Sequence, residues 1–272
     1  MNVSRIALVT GANQGLGRAL VEGLATRMGP DDLVLLTGRD EQRVTDAARE
    51  VASLPGTRSR VEGRVLDVTD TDAIAQLADD LRQFHGGVDV VVSNAVARVL
   101  PGESQAARAD EFIDVSNTAT HAMLRSFGPV LHDLFDGASL DQVEYAVESW
   151  RGAVHHRTTA EAGWPLWLNV PSKVAQVAAV RAVAAERREH DLATGTLIAS
   201  VCPGMVDTAT SRPWFSDFSQ ARSPAEAAGA VLDLVLAEHV DPTHYGELVR
   251  FGKALDWYGG TPPVEQDRLI TP

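Results

Sequence analysis

Three short runs in the first hundred residues are apolar at successive positions rather than alternate ones: Ile6-Ala7-Leu8-Val9, Leu33-Val34-Leu35-Leu36 and, nearly so, Val88 to Val92. Val61 to Val68, third in chain order, is read as a strand of the same kind. Strands of this kind are buried on both faces. Between them lie helical patterns, from about Gly15 to Met28, over 40–53, and after residue 70, where Ala73, Ile74, Leu77 and Leu81 recur at helical spacing. Alternation of two-sided strands with amphipathic helices predicts a parallel sheet covered on both sides. Right-handed crossovers then reduce the choice to an α/β, Rossmann-like, doubly wound sheet.

The second half is less regular. Helices are expected over 109–134, over 139–152 (with Leu140, Val143, Tyr145, Val147 and Trp150), from Pro171 to His190 and over 224–239, with strands at Leu197–Cys202 and 247–251. No apolar strand stands between residues 129 and 165. Six strands are therefore expected, in the order 3-2-1-4 followed by those near 197–202 and 247–251. The strand near 197 should pair directly with the one ending near Ser93, because unsatisfied buried backbone groups cost about 1–3 kcal/mol each.

With no repeats and no Pro/Gly/Ser-rich linker, residues 1–272 read as a single domain. There are 24 Lys and Arg against 37 Asp and Glu, a net charge of −13, which argues against a nucleic-acid partner. A single cysteine, Cys202, suits a reducing compartment. The sequence has no apolar stretch of membrane-spanning length and no signal-peptide pattern at Met1, so a cytoplasmic protein is expected.

Thr10-Gly11-Ala12-Asn13-Gln14-Gly15-Leu16-Gly17 follows the first strand and opens the first helix. Glycines there allow a tight turn and close approach to a pyrophosphate, while free N–H groups and the helix dipole favour its charge. This spacing resembles the short-chain dehydrogenase/reductase family, and further motifs agree in order from about residue 4 to 252. In that resemblance Thr10, Gly11, Asn13, Gln14, Gly15, Leu16 and Gly17 cradle the dinucleotide, and Arg39 after the second strand receives the 2′-phosphate of NADP(H). Asp40, one place later, begins a helix; a solvated Arg39 is the other reading. Asp67-Val68 resembles the pair framing the adenine, and Asn94-Ala95 the family's N-A-G turn, with Val96 in place of glycine. Pro203, Gly204, Val206 and Thr208 resemble the loop that places the nicotinamide carboxamide. Gly163-Trp164-Pro165 and the excursion before it resemble the carbonyl-reductase branch, which implies a monomer or a small homo-oligomer.

The resemblance implies hydride transfer assisted by a Tyr, a Lys four residues later and a Ser. Counting from Gly163-Trp164-Pro165, the Tyr position holds Asn169, and Lys173 is retained, a residue that in this family also holds the nicotinamide ribose. An amide exchanges no proton at useful pH. Pro171 fits only a first helical turn, so a helix should start near Asn169 or Val170, with Asn169 either its N-cap or a polar contact of the site. The family's usual fifth strand and its serine are absent from the pattern at 129–139, and Ser139 reads better as an N-cap. Asn117 matches the asparagine of the family's proton relay.

His155 and His156 are adjacent and point apart on a helix, so no metal site is expected. His121, Tyr145 and His155 read as packing or surface residues. Trp164, Trp167, Trp214, Phe215 and Phe218 flank the expected pocket and suit a hydrophobic or aromatic small molecule, though core filling also explains them. Three functions remain open at this point. One is an atypical reductase of an enone, quinone or iminium ion. Another is a cyclase, isomerase or dehydratase on the same fold. The third is a non-catalytic NADP(H) sensor or scaffold.

Overall fold

The first apolar run forms β1 (Ile6–Val9), buried at all four positions between parallel neighbours. The computed structural model describes residues 5–127, 139–165 and 167–255. After β1 come α1 (Gly15–Arg27), β2 (Leu33–Gly38), α2 (Glu41–Ala52), β3 (Arg60–Val65), α3 (Thr71–His85) and β4 (Val90–Val92). These four strands form one parallel sheet in the order β3-β2-β1-β4, the doubly wound arrangement expected. Successive residues of β1 feed opposite faces. Ile6 and Leu8 pack with Ile74, Phe112 and Trp150 on one side, and Ala7 and Val9 with Leu20, Leu24 and Leu232 on the other.

β3 differs from expectation. It stops at Val65, and as an edge strand with Arg and Glu among its residues it is largely exposed, while Leu66 and Val68 drop into the core from the following loop. The helix expected over 109–134 is divided: α4 (Gln105–Ile113) passes through a π-helical turn at Asp114–Thr118 into α5 (Ala119–Phe127). The remainder of that expected helix, and most of the segment lacking the fifth-strand pattern, lie at residues 128–138, outside the described residues. α6 (Leu140–His155), α7 (Asn169–Thr194) and α8 (Pro224–Val235) follow.

Among the described residues the expected six-strand sheet does not form. β5 (Ser200–Val201) pairs with β6 (Leu248–Arg250), which turns back as β7 (Lys253–Leu255), making a separate three-stranded sheet. Among the described residues no hydrogen bond joins β5 to β4. Two features account for the difference. β4 and β5 have only three and two residues and are half-buried, so few backbone groups bear the cost of a fully buried edge. The position of this part of the chain is set instead by α8, whose Val231 and Leu232 share a core with Leu20, Val21 and Leu24 of α1. Gly23 eases that approach, since a Cβ there would run into the Leu232 side chain.

The C-terminal end of α7 is tied to the segment before β6 by a buried polar cluster. Tyr245 Oη donates to Asp191 Oδ2 at 2.7 Å, and Arg187 donates to both carboxylate oxygens at 2.9 Å. Tyr245→Phe removes one of these bonds and should cost about 1–2 kcal/mol in urea unfolding. Asp191→Ala removes the carboxylate that Tyr245 and Arg187 share and should cost about 3 kcal/mol. An unchanged unfolding midpoint in Asp191→Ala would show that the cluster carries no stability.

Candidate functional site

The glycine turn is pressed against the end of β4. Thr10 accepts from the backbone N–H groups of Asn94 and Ala95 through its Oγ1, at 2.9 and 3.1 Å. Asn94 Nδ2 returns a bond to Thr10 O at 2.9 Å and reaches Gly11 O at 3.3 Å. A Cβ on Gly11 would lie 2.8 Å from Ala95 Cα, and one on Gly17 would lie 2.5 Å from Asn94 Nδ2 and 2.6 Å from Gly11 O. Gly11 and Gly15 also take positive φ, 60° and 58°. Gly11 is thus required by contact and by conformation, Gly17 by contact and Gly15 by conformation. The Gln14 side chain does not cap α1, and no acidic residue occupies its first turn, so the positive end of the helix opens onto the turn. A dinucleotide's pyrophosphate fits this cradle of free N–H groups. Leu16 packs into the core beneath it.

At the rim, Asp40 caps α2 by accepting from Arg43 N at 2.9 Å, as its place in the sequence suggested. Arg39 is exposed and lies 3.7 Å from Glu111, a loose surface pair of little energy. Arg43, which sequence reasoning missed, donates from Nη2 to Gln14 Oε1 at 2.9 Å and so stands directly over the glycine turn. Its signal was available, as a second guanidinium four residues beyond Arg39. Asn13 sits beside the end of β2, its Oδ1 3.5 Å from where a Gly38 Cβ would be. Asp67 turns toward its own loop, accepting from Thr69 N and Oγ1 at 3.0 and 2.8 Å, and Val68 is buried in the core.

The segment Pro203–Thr208 closes the other side. Thr208 Cγ2 would be 3.8 Å from a Cβ on Gly15, which brings this loop to the glycine turn. Ser211 braces it, donating to Val206 O at 2.6 Å and accepting from Thr208 N at 3.0 Å. Gly204, at φ 78°, faces the ring of Phe251, whose Cζ would be 2.9 Å from a Cβ there. Phe251 and Gly252 form the β6–β7 turn with positive φ, 50° and 74°, and the Arg222 guanidinium lies 3.7 Å from the Phe251 ring centroid. Arg222 also pairs by backbone with Met205 and Asp207.

On the opposite wall, α7 begins at Asn169, so Asn169 is its first helical residue and not its N-cap; Leu168 stands at the cap, and Gln105 Oε1 accepts from Leu168 N at 2.7 Å. The third helical position is Pro171, within the first turn that tolerates it. Asn117 lies in the π-helical turn and is fully buried, its Nδ2 donating to Ser172 O at 3.1 Å. Ser116 Oγ, Asn117 Oδ1 and Ser172 Oγ are buried without a hydrogen-bond partner among the described residues. Such unsatisfied groups gathered at one junction are unusual in a folded protein. Lys173 is open to solvent on one side but crowded by protein elsewhere, and this desolvation holds its pKa below the ordinary lysine value. Its Nζ donates to Gln176 Oε1 at 2.8 Å.

Other candidates fall away from this cleft. Ser139 forms a capping box with Gln142 at the start of α6. Tyr145 is 78% exposed. His155 pairs with Asp110 at 2.9 Å on the surface, and His156 with Gly152 O at 2.7 Å. His121 is buried 3.5 Å from Glu144, and desolvation lowers its pKa. Trp164 packs in the core against Trp150. Trp167 and Trp214, in contrast, meet at 6.1 Å with planes tilted 43°, and Trp214 Nε1 donates to Val99 O at 2.9 Å. Phe215 and Phe218 are half-buried in the same loop. Val170 and Val174 expose apolar surface beside Lys173.

Residues 5–139 match the short chain dehydrogenase family. Carbonyl reductase [NADPH] 1 of Sus scrofa is 27% identical, with 96% of each chain covered. Carbonyl reductase [NADPH] 3 of Mus musculus is 29% identical over 93% of this chain and 99% of its own. Among solved structures, salutaridine reductase from Papaver somniferum superposes with a TM-score of 0.72 at 18% identity, covering 90% of this chain and 99% of that one. The NADPH-bound carbonyl reductase from chicken fatty liver gives 0.66 at 20% identity, covering 94% and 100%. No helix among the described residues is long and apolar enough to cross a membrane.

The contact at Gly17 yields a direct test. Gly17→Ala forces a methyl group onto Asn94 Nδ2 and Gly11 O and should destabilise the fold by about 1–3 kcal/mol. Gly15→Ala meets no atom closely, but its positive φ should still cost about 1–2 kcal/mol. Urea unfolding of both variants checks the pair; a neutral Gly17→Ala would mean that the turn and β4 are not in contact.

Proposed function

We propose that the chain, whose residues 5–139 match the short chain dehydrogenase family, binds NADP(H) and reduces a small hydrophobic or aromatic molecule that needs little general-acid help, such as an enone, a quinone or an iminium ion. The observation that carries the reading is a glycine turn shaped for a dinucleotide in a chain whose α7 bears an amide, Asn169, four residues before Lys173. The names of the carbonyl reductase relatives support NADPH as the cofactor.

On this reading Gly11, Gly15 and Gly17 with the open end of α1 hold the pyrophosphate. Arg39 and Arg43 take the 2′-phosphate, for which a guanidinium is well matched. Arg39 gives up little in leaving Glu111, because an exposed pair at that distance is weak. Asn94, Lys173 and the Pro203–Thr208 loop orient the ribose and nicotinamide. When bound, NADPH supplies a hydride. Asn169 cannot return a proton to a developing alkoxide, so an unactivated ketone loses the factor of about 10² to 10⁴ that a general acid ordinarily provides. Reduction of an iminium carbon forms no alkoxide and forgoes much less. Trp167, Trp214, Val170 and Val174 offer an apolar wall that suits such substrates.

Two experiments test this. Arg39→Ala and Arg43→Ala should each weaken NADPH binding about tenfold or more while leaving NADH nearly unchanged, as read by quenching of the chain's tryptophan fluorescence. Equal losses for both cofactors reject the phosphate assignment. In a panel followed by NADPH absorbance, enones, quinones and cyclic imines should be reduced and simple ketones should not, and Asn169→Tyr alone should not rescue the ketones. Brisk turnover of an unactivated ketone by the wild-type protein would overturn the reading, and no oxidation of NADPH by any of the panel would favour a non-redox role.

A further inference from the structure

Among the described residues, neither a phenol nor a carboxylate is hydrogen-bonded to Lys173. Charged groups on the elements packed against α7 are engaged elsewhere: Asp114 with Arg151, Asp141 with Arg125, and Glu144 with Arg125 and His121. What holds the ammonium is Gln176, one helical turn further on the same face, whose Oε1 accepts from Nζ at 2.8 Å. The other end of that amide is fixed. Gln176 Nε2 donates to Ser116 O at 2.7 Å and to Thr120 Oγ1 at 3.0 Å, and Thr120 Oγ1 donates to Ser116 O at 2.6 Å. Ser116 is in the π-helical turn, where the regular helical ladder is interrupted and a carbonyl becomes available to side chains. The same turn carries Asn117, which grips α7 at the carbonyl immediately before Lys173.

We propose that Gln176 is a positioning residue for the cofactor site: its amide spans from the π-helical turn to the Lys173 ammonium and holds that lysine in place for the nicotinamide ribose. The proposal rests on the NADP(H) reading above. It also explains how a desolvated ammonium keeps its place when the tyrosine position is an amide, since a fixed acceptor favours the charged form that desolvation disfavours. Because a carboxamide neither gives nor takes a proton at neutral pH, the bridge fixes the lysine without supplying it with protons.

Lys173 and Lys253 are the only lysines in the sequence, so protein labelled with ¹³C at lysine Cε gives two side-chain NMR signals, with exposed Lys253 as the internal reference. In cofactor-free Gln176→Met the Lys173 signal should titrate at lower pH than in the wild type, with Lys253 unmoved, and NADPH Kd should rise about tenfold, the usual effect of losing a hydrogen bond to a charged group. Gln176→Glu, which keeps an acceptor for Nζ, should move the Lys173 titration upward. In a Lys173→Met background, Gln176→Met should have no further effect on NADPH affinity. An unmoved Lys173 titration in both Gln176 variants, or the same affinity loss with and without Lys173, overturns the proposal. If Lys173→Met binds NADPH as tightly as wild type while the Gln176 variants shift the lysine signal, the bridge stands as a contact and the cofactor role of Lys173 is what fails.

Discussion

The contact between the glycine turn and the end of β4 organises the molecule. Thr10 directly follows β1, receives two N–H groups from Asn94 and Ala95, and through its own N–H extends the pairing of β1 with β4, at 3.0 Å from Val92 O. Only a chain lacking Cβ atoms at 11 and 17 can come this close to Ala95 and Asn94. Once made, the contact fixes the direction in which α1 leaves the sheet. It sets the opening of the cleft between β1 and β4, and it gives α1 the position from which it packs against α8. The second sheet is therefore located by helix packing that starts at this turn, without any strand pairing to the first sheet among the described residues.

The first four strands and three helices were legible because two-sided burial leaves a continuous apolar run, as in Leu33–Leu36, and helical spacing leaves a stripe, as in Ala73, Ile74, Leu77 and Leu81. Cap chemistry was legible too: Asp40 and Ser139 stand where a side-chain oxygen before a helical pattern suggests. Edge position was not. Nothing in Val61–Val68 states that the strand lies at the margin of the sheet, and its charged residues make sense only once that margin is known. The expectation that β5 would pair with β4 failed because it assigned the cost of a buried edge to strands that are half-exposed.

At the site, residues whose role depends on main-chain shape could be read, and residues whose role depends on a partner distant in sequence could not. Glycines at 11, 15 and 17 announce a turn by themselves. Gln176 does so only through Ser116 and Thr120, nearly sixty positions earlier, and through a π-helical turn that no periodicity reveals. Arg43 needed Gln14, and Gly204 needed Phe251. Pro171 placed the start of α7 near Asn169 or Val170, and the helix does begin at Asn169, which leaves the cap position to Leu168.

The β6–β7 turn links regions that sequence places far apart. Phe251 adopts a left-handed backbone that a bulky side chain avoids, and its ring is wedged between the Arg222 guanidinium and the bare Cα of Gly204. Arg222 in turn is bonded by backbone to both Met205 and Asp207. The shape of the Pro203–Thr208 loop is thus inherited from the last described hairpin of the chain rather than from the strand it extends. A bulge, a truncation or a bound neighbour that relaxed that hairpin would be felt first at the mouth of the cleft, some fifty residues upstream.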